Sequence, residues 1–172
     1  MRNLLLPLLF AGLVTTVTIA QTRSAGPAST GAVDSSWHCK APNPAYNIPV
    51  PDAPGHAYAI QQFSCAATKG EIAGVKEKDG IATEFGEVTS AGVKGHGIFT
   101  ETLANGDKLT VSYTSSATMG ANNQMQAGGG PWTVTGGTGK LKGITGKGTC
   151  KAKGNADGTA DFNCVGTYSI PK

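Results

Sequence analysis

Glu84, Glu87, His96 and Glu101 stand in runs of alternating polarity, where an inward-turned carboxyl or imidazole can act as general acid or base. Proton-transfer chemistry on an apolar molecule needs such a group against a cavity, its pKa shifted by burial. Glu87, Glu101 and His96 are the catalytic candidates; Glu87 shares its phase with Ile81 and Phe85. The competing reading leaves all of them on the wet face of a sheet. His38 and His56 flank a proline-rich stretch and read as solvent-exposed. Other chemistries lack their residues. No G-x-S-x-G places a serine on a nucleophile elbow, and no Gly-rich phosphate-cradling motif occurs. No Cys-x-x-Cys or helically spaced histidine pair suits a metal. The sequence therefore implies neither a metal nor a cofactor.

The compartment follows from the N-terminus and the cysteines. Arg2 precedes an apolar run from Leu4 to Val17, and Thr18-Ile19-Ala20 offers small residues before Gln21, the pattern of a cleaved signal peptide. The run is too short for a membrane span, and the first cysteine is Cys39, so no lipid anchor is expected after cleavage. The expected location is periplasmic or secreted. There Cys39, Cys65, Cys150 and Cys164 can pair as two disulfides. Cleavage removes Arg2 alone among the 14 Lys/Arg, leaving 13 against 11 Asp/Glu and a net charge of +2. That charge gives no footprint for nucleic acid.

With 39% hydrophobic and 15% charged residues in the chain, and 24 of its 25 glycines beyond residue 20, the remainder reads as one compact β domain. Residues 21–36 are small, polar and aperiodic and are expected to be a flexible leader. Five prolines between Cys39 and Pro54 exclude a helix or a central strand, leaving extended coil on the surface. The expected organisation is thus signal peptide 1–20, leader and Pro-rich coil 21–54, and β domain 55–172. Short Thr/Val/Ile/aromatic runs then predict eight strands, at about 56–68, 71–77, 81–91, 94–104, 108–118, 131–136, 145–153 and 160–170. Between them, Met119–Gly130 is too long for a tight hairpin and reads as a lid or surface loop.

Two hairpins can be tested by arithmetic. A turn centred on Asp157 opposes Cys150 to Cys164, both on the inward phase, which leaves Cys39 for Cys65. The competing connectivity links Cys65 to the C-terminal strand. At Asn105-Gly106 a two-residue type I′ turn would align Ile98 with Tyr113 and put His96 on their face. A three-residue turn would align Phe99 with Tyr113 and Glu101 with Val111. A slip of one residue exchanges the faces completely, and the Asn-Gly signal favours the first.

Eight hairpin-linked strands leave two open edges unless the sheet closes. The stretch Trp132-Thr133-Val134-Thr135-Gly136-Gly137-Thr138-Gly139-Lys140-Leu141-Lys142-Gly143-Ile144-Thr145-Gly146, followed by Lys147-Gly148-Thr149, resembles the allene oxide cyclase and dirigent barrel superfamily. The nearest pattern is that of its exported bacterial members, and the specific match is confined to this segment. The resemblance implies an eight-stranded antiparallel closed β-barrel, often oligomeric. Allene oxide cyclases close a fatty-acid epoxide, and dirigent proteins steer the coupling of phenoxy radicals. The motif itself is structural: a sharp glycine exit from a strand, with Leu141 and Ile144 placed to plug one end. It carries none of the superfamily's catalytic groups, so none transfers.

The function expected from these readings is non-catalytic binding of a small apolar or aromatic ligand, with Tyr113, Trp132, Phe162 and Tyr168 lining the interior. The alternatives are a cyclase or isomerase using the candidates above, and a structural barrel with a filled core. Residues 70–107 carry seven acids and three lysines, whereas 131–172 carry six lysines and two acids, an asymmetry able to orient subunits of a homo-oligomer or a charged ligand, the competing reading being the wet face of a sheet.

Overall fold

The computed structural model describes residues 28–120 and 124–172. Ten strands form one sheet: β1 (Ser29–Cys39), β2 (Ala45–Pro49), β3 (Ala57–Lys69), β4 (Glu71–Ile72), β5 (Val75–Thr89), β6 (Gly92–Leu103), β7 (Lys108–Met119), β8 (Met125–Gly137), β9 (Thr145–Gly154) and β10 (Ala160–Ile170). Their order is β2-β3-β1-β10-β9-β8-β7-β6-β5-β4, and a further β3–β5 pairing closes eight of them into an antiparallel barrel. β2 lies outside the ring on the edge of β3 beyond β1, and β4 forms a small hairpin with the start of β5.

The C-terminal hairpin follows its sequence. Every β9–β10 pair lies in the register that opposes Cys150 to Cys164, and those cysteines are bonded. Cys39 is opposite Cys65 across β1 and β3, and they form the second disulfide. Leu141, in a 3₁₀ turn over Gly139–Leu141, and Ile144 are buried at one end of the barrel with Ile72, Leu103, Leu109 and Val33. This is the plugged end. A second cluster around Trp37, with Phe63, Phe99 and Phe162, fills the middle.

Four expectations are corrected. From Ser29 on, the leader is a barrel strand: Val33, Ser35, Trp37 and Cys39 point inward, and β1 pairs with β10 along its whole length. Gly31 and Ser35 stand at inward positions where apolar residues would have revealed the alternation. The two runs 71–77 and 81–91 belong mainly to one strand, because an irregularity between Glu77 and Asp79 reverses the phase of β5. Val75 and Glu77 point inward before it, and Gly80, Ala82, Glu84 and Gly86 after it.

Most of the expected lid is also strand. β8 begins at Met125, and Gly128–Gly130 pair with β7 and β9, where backbone carbonyls come too close for side chains. Residues 121–123 lie outside the described residues. Finally, the Asn105-Gly106 hairpin takes neither expected register: it pairs Thr102 with Lys108, Phe99 with Val111 and Glu101 with Leu109, placing Phe99 and Glu101 inside and His96 and Ile98 outside. Its three-residue loop, Ala104–Gly106, is closed by Gly106 at φ 87° and by the Asp107 N–H donating to Asn105 Oδ1 at 3.0 Å. Asp107 also accepts from the Lys140 N–H at 3.1 Å, joining this turn to the plug.

Candidate functional site

Alternation decides what the barrel contains. Successive residues of a strand point to opposite faces, so each charged residue falls in the core or in water according to its phase. Three glutamates fall inside, Glu77, Glu84 and Glu101, and no cationic side chain is buried with them among the described residues. Two form a pair. Ser35 Oγ donates to Glu77 Oε1 at 2.7 Å, while Glu77 Oε2 and Glu101 Oε1 have no hydrogen-bond partner. Burial pushes Glu77 up to about 7 against the opposing Ser35 bond. Glu101, 5% exposed, is pushed up to about 8 by burial and then by the charge of Glu77. Near neutral pH this pair holds a proton that a solvated pair would release.

The third glutamate lies toward the other mouth. Ser115 Oγ donates to Glu84 Oε2 at 2.9 Å and Gln61 Nε2 to Oε1 at 3.3 Å. The Tyr113 phenol lies against this carboxylate; burial first and Glu84 second hold it well above its usual value, so it stays protonated. Around this cluster the inward side chains are small: Ala59, Ala82, Gly86 and Gly95. Elsewhere the interior is filled by aromatics seated on glycines, Trp132 over Gly148 and Gly166, Phe99 over Gly80 and Tyr168 over Gly31. At Gly86 a methyl group would be tolerated. A Cβ there would meet nothing nearer than Val93 Cγ1 at 3.5 Å. The arrangement suits a small neutral molecule with an apolar body and one hydrogen-bonding group.

Neither a protein-family model nor a curated protein matches the chain. Among solved structures it is similar to the pterocarpan synthase dirigent protein GePTS1, at a TM-score of 0.51 and 12% identity, over 91% of this chain and 98% of that one. The pterocarpan synthase dirigent protein PsPTS1 aligns over 84% and 97%, at 13% identity and a TM-score of 0.49. The barrel has the dirigent fold. At this identity the likeness concerns the fold alone.

Within the dirigent-type barrel the residues singled out by sequence separate. Glu101 is inside, beside Glu77. Glu87 points outward and accepts from His56 Nε2 at 3.1 Å. His96 is also outside, its ring 5.6 Å from Phe85. The expected general-base face at the hairpin is thereby inverted, because the three-residue loop shifts the register by one. Tyr113, Trp132, Phe162 and Tyr168 all face inward, and the Tyr168 hydroxyl accepts from the Ala73 N–H at 2.9 Å, anchoring the β4 hairpin. Sequence reasoning missed Glu77, Ser35, Gln61 and Ser115. The signal for Glu77 was its alternation with Val75, hidden by the phase reversal that follows it.

Proposed function

We propose that this is an exported binding barrel for a small apolar or aromatic molecule, held in the half of the interior between the aromatic core and the unplugged mouth. The observation that carries this reading is the convergence of Glu84, Tyr113, Ser115 and Gln61 on a region whose inward side chains include Ala59, Ala82, Gly86 and Gly95. That a protein named a pterocarpan synthase has the same barrel supports placing a small molecule in it. Two disulfides fit an oxidising compartment, which supports export, as does the signal-peptide pattern of residues 1–20. The resemblance of Trp132–Thr149 to exported bacterial barrels points the same way.

The test is native mass spectrometry of protein purified from its own source, before and after denaturation, beside a Gly86→Leu variant that adds an apolar side chain beside Glu84. A copurifying small molecule, lost on denaturation and absent from the variant, is expected. An unchanged ligand in the variant, or wild type that carries none and fails to bind an apolar naphthalene dye, overturns the reading.

A second reading rests on the unpartnered oxygens of Glu77 and Glu101. A carboxylic acid that keeps its proton near neutral pH inside a dry barrel can serve as general acid in an isomerisation or ring closure. It requires that Glu101→Gln still bind the copurified molecule while losing its conversion. Retained conversion excludes Glu101 as the acid.

A further inference from the structure

Charge is distributed unevenly around the barrel. From Lys108 to Ala156 the chain carries six lysines and no Asp or Glu, and that stretch supplies all of β7, β8 and β9 together with the plug. All six lysines are exposed, and among the described residues none of them forms an ion pair. The barrel ring places β9 four strands from β5 in either direction, so β9 lies opposite the strand that holds Glu77, Asp79, Glu84 and Glu87.

The lysines of this wall are ordered. Lys147, Lys151 and Lys153 share the outward phase of β9 and span about 20 Å at the rise of a strand. Lys140 and Lys142 add two charges at the plugged end, where β9 begins. Lys147 stands between Thr133 on β8 and Thr167 on β10, and Lys151 stands opposite Asn163, so neutral hydrogen-bonding groups border the charges. Acids at the borders of the wall are engaged elsewhere. Asp107 accepts from Asn105 Nδ2 and from the Lys140 N–H, Asp161 is hydrogen-bonded to His38 and Asn155, and Asp34 pairs with Lys69.

We propose that this wall docks a carboxylated polysaccharide, which lies along β9 with its carboxylates on the three lysines and its hydroxyls on the flanking Thr and Asn side chains. Charge complementarity selects an anion, and a row of separated point charges selects a chain, since no small anion spans it. Other polyanions match the wall less well. The four aromatic rings of β7–β10, on Tyr113, Trp132, Phe162 and Tyr168, all face inward and leave none on which a nucleobase could stack. No arginine occurs among the described residues, so the planar fork that grips phosphate bidentately is missing. Among the described residues of β7–β10, Val165 is the one exposed large apolar side chain, too little to insert into a bilayer.

The test is binding of the intact chain to immobilised polygalacturonate, with the fully methyl-esterified polymer as the same chain without charge. Wild type should bind polygalacturonate, release it as salt rises, and ignore the ester. Lys147→Gln combined with Lys151→Gln should weaken binding by about tenfold, whereas Lys76→Gln with Lys78→Gln, the same loss of charge on β5, should change it less than about twofold. All four positions are exposed, so both double variants are expected to keep the wild-type circular dichroism. Wild type that does not bind, equal binding to the ester, or a β9 double variant that binds no more weakly than the β5 one overturns the proposal. Tighter binding to phosphatidylglycerol vesicles or to duplex DNA than to polygalacturonate also overturns it, and assigns the wall to that polyanion.

Discussion

Glu77 on β5 and Glu101 on β6 occupy adjacent strands inside the barrel, and the charge of Glu77 raises the affinity of Glu101 for its proton. Among the described residues, no cationic side chain is buried with either. The pair links the protein's stability to pH with a sign opposite to that of a surface ion pair.

In the folded barrel the two carboxyls titrate at about 7 and about 8, against 4.5 when exposed. Between those limits the folded state holds protons that the unfolded state has released, so stability falls as pH rises from 4.5 to about 8 and then levels off. Glu101→Gln removes the larger contribution. Its stability gain over wild type should grow between pH 5 and 9 by an amount on the order of 3 kcal/mol, read from thermal unfolding across that range. A gain independent of pH would show that Glu101 ionises freely.

Gly148 and Gly86 predict opposite outcomes for the same substitution. A methyl group at Gly148 would collide with the Trp132 ring and the Val165 carbonyl, whereas at Gly86 it makes ordinary contacts. Gly148→Ala is expected to cost about 3 kcal/mol or more, with tryptophan emission shifted to the red as Trp132 is displaced. Gly86→Ala should unfold within about 0.5 kcal/mol of wild type in denaturant titrations.

His56 is held between two carboxylates, Asp52 at 2.5 Å from Nδ1 and Glu87 at 3.1 Å from Nε2. The Asp52 bond leads in raising its pKa above 6.5, with Glu87 adding to it against partial desolvation. Whatever this clamp adds to stability is present below pH 6.5 and lost as pH rises through the folded value. An NMR titration of the imidazole should show a midpoint above that of free histidine. Asp52→Asn should lower it more than Glu87→Gln.

The parts of this fold legible in the sequence are those where alternation runs unbroken. Phe162, Cys164, Gly166 and Tyr168 share one phase through all of β10, so strand, register and disulfide followed from counting. Legibility failed where a local device overrode the pattern. One irregularity after Glu77 split β5 in two and concealed an interior acid. At Asn105 the side-chain amide caps Asp107, choosing a three-residue loop over the type I′ turn and exchanging His96 for Glu101. β1 escaped because Gly31 makes room for the Tyr168 ring and Ser35 bonds Glu77, so both inward positions are filled according to partners more than a hundred or some forty residues away. The acids were visible as candidates; which of them are interior depends on bulges and loops.

β1 and β10, the first and last strands of the barrel, are neighbours in it. β1 is the first barrel strand to be synthesised and β10 the last, so the seam cannot close until β10 has been made. Through that interval the full length of β1 lacks its principal partner, an open edge able to pair with other chains. The Cys39–Cys65 bond can form while later strands are still emerging, but Cys150–Cys164 must wait for the final hairpin. Assembly is therefore ordered in time by connectivity, and its last event is the meeting of the two ends of the barrel.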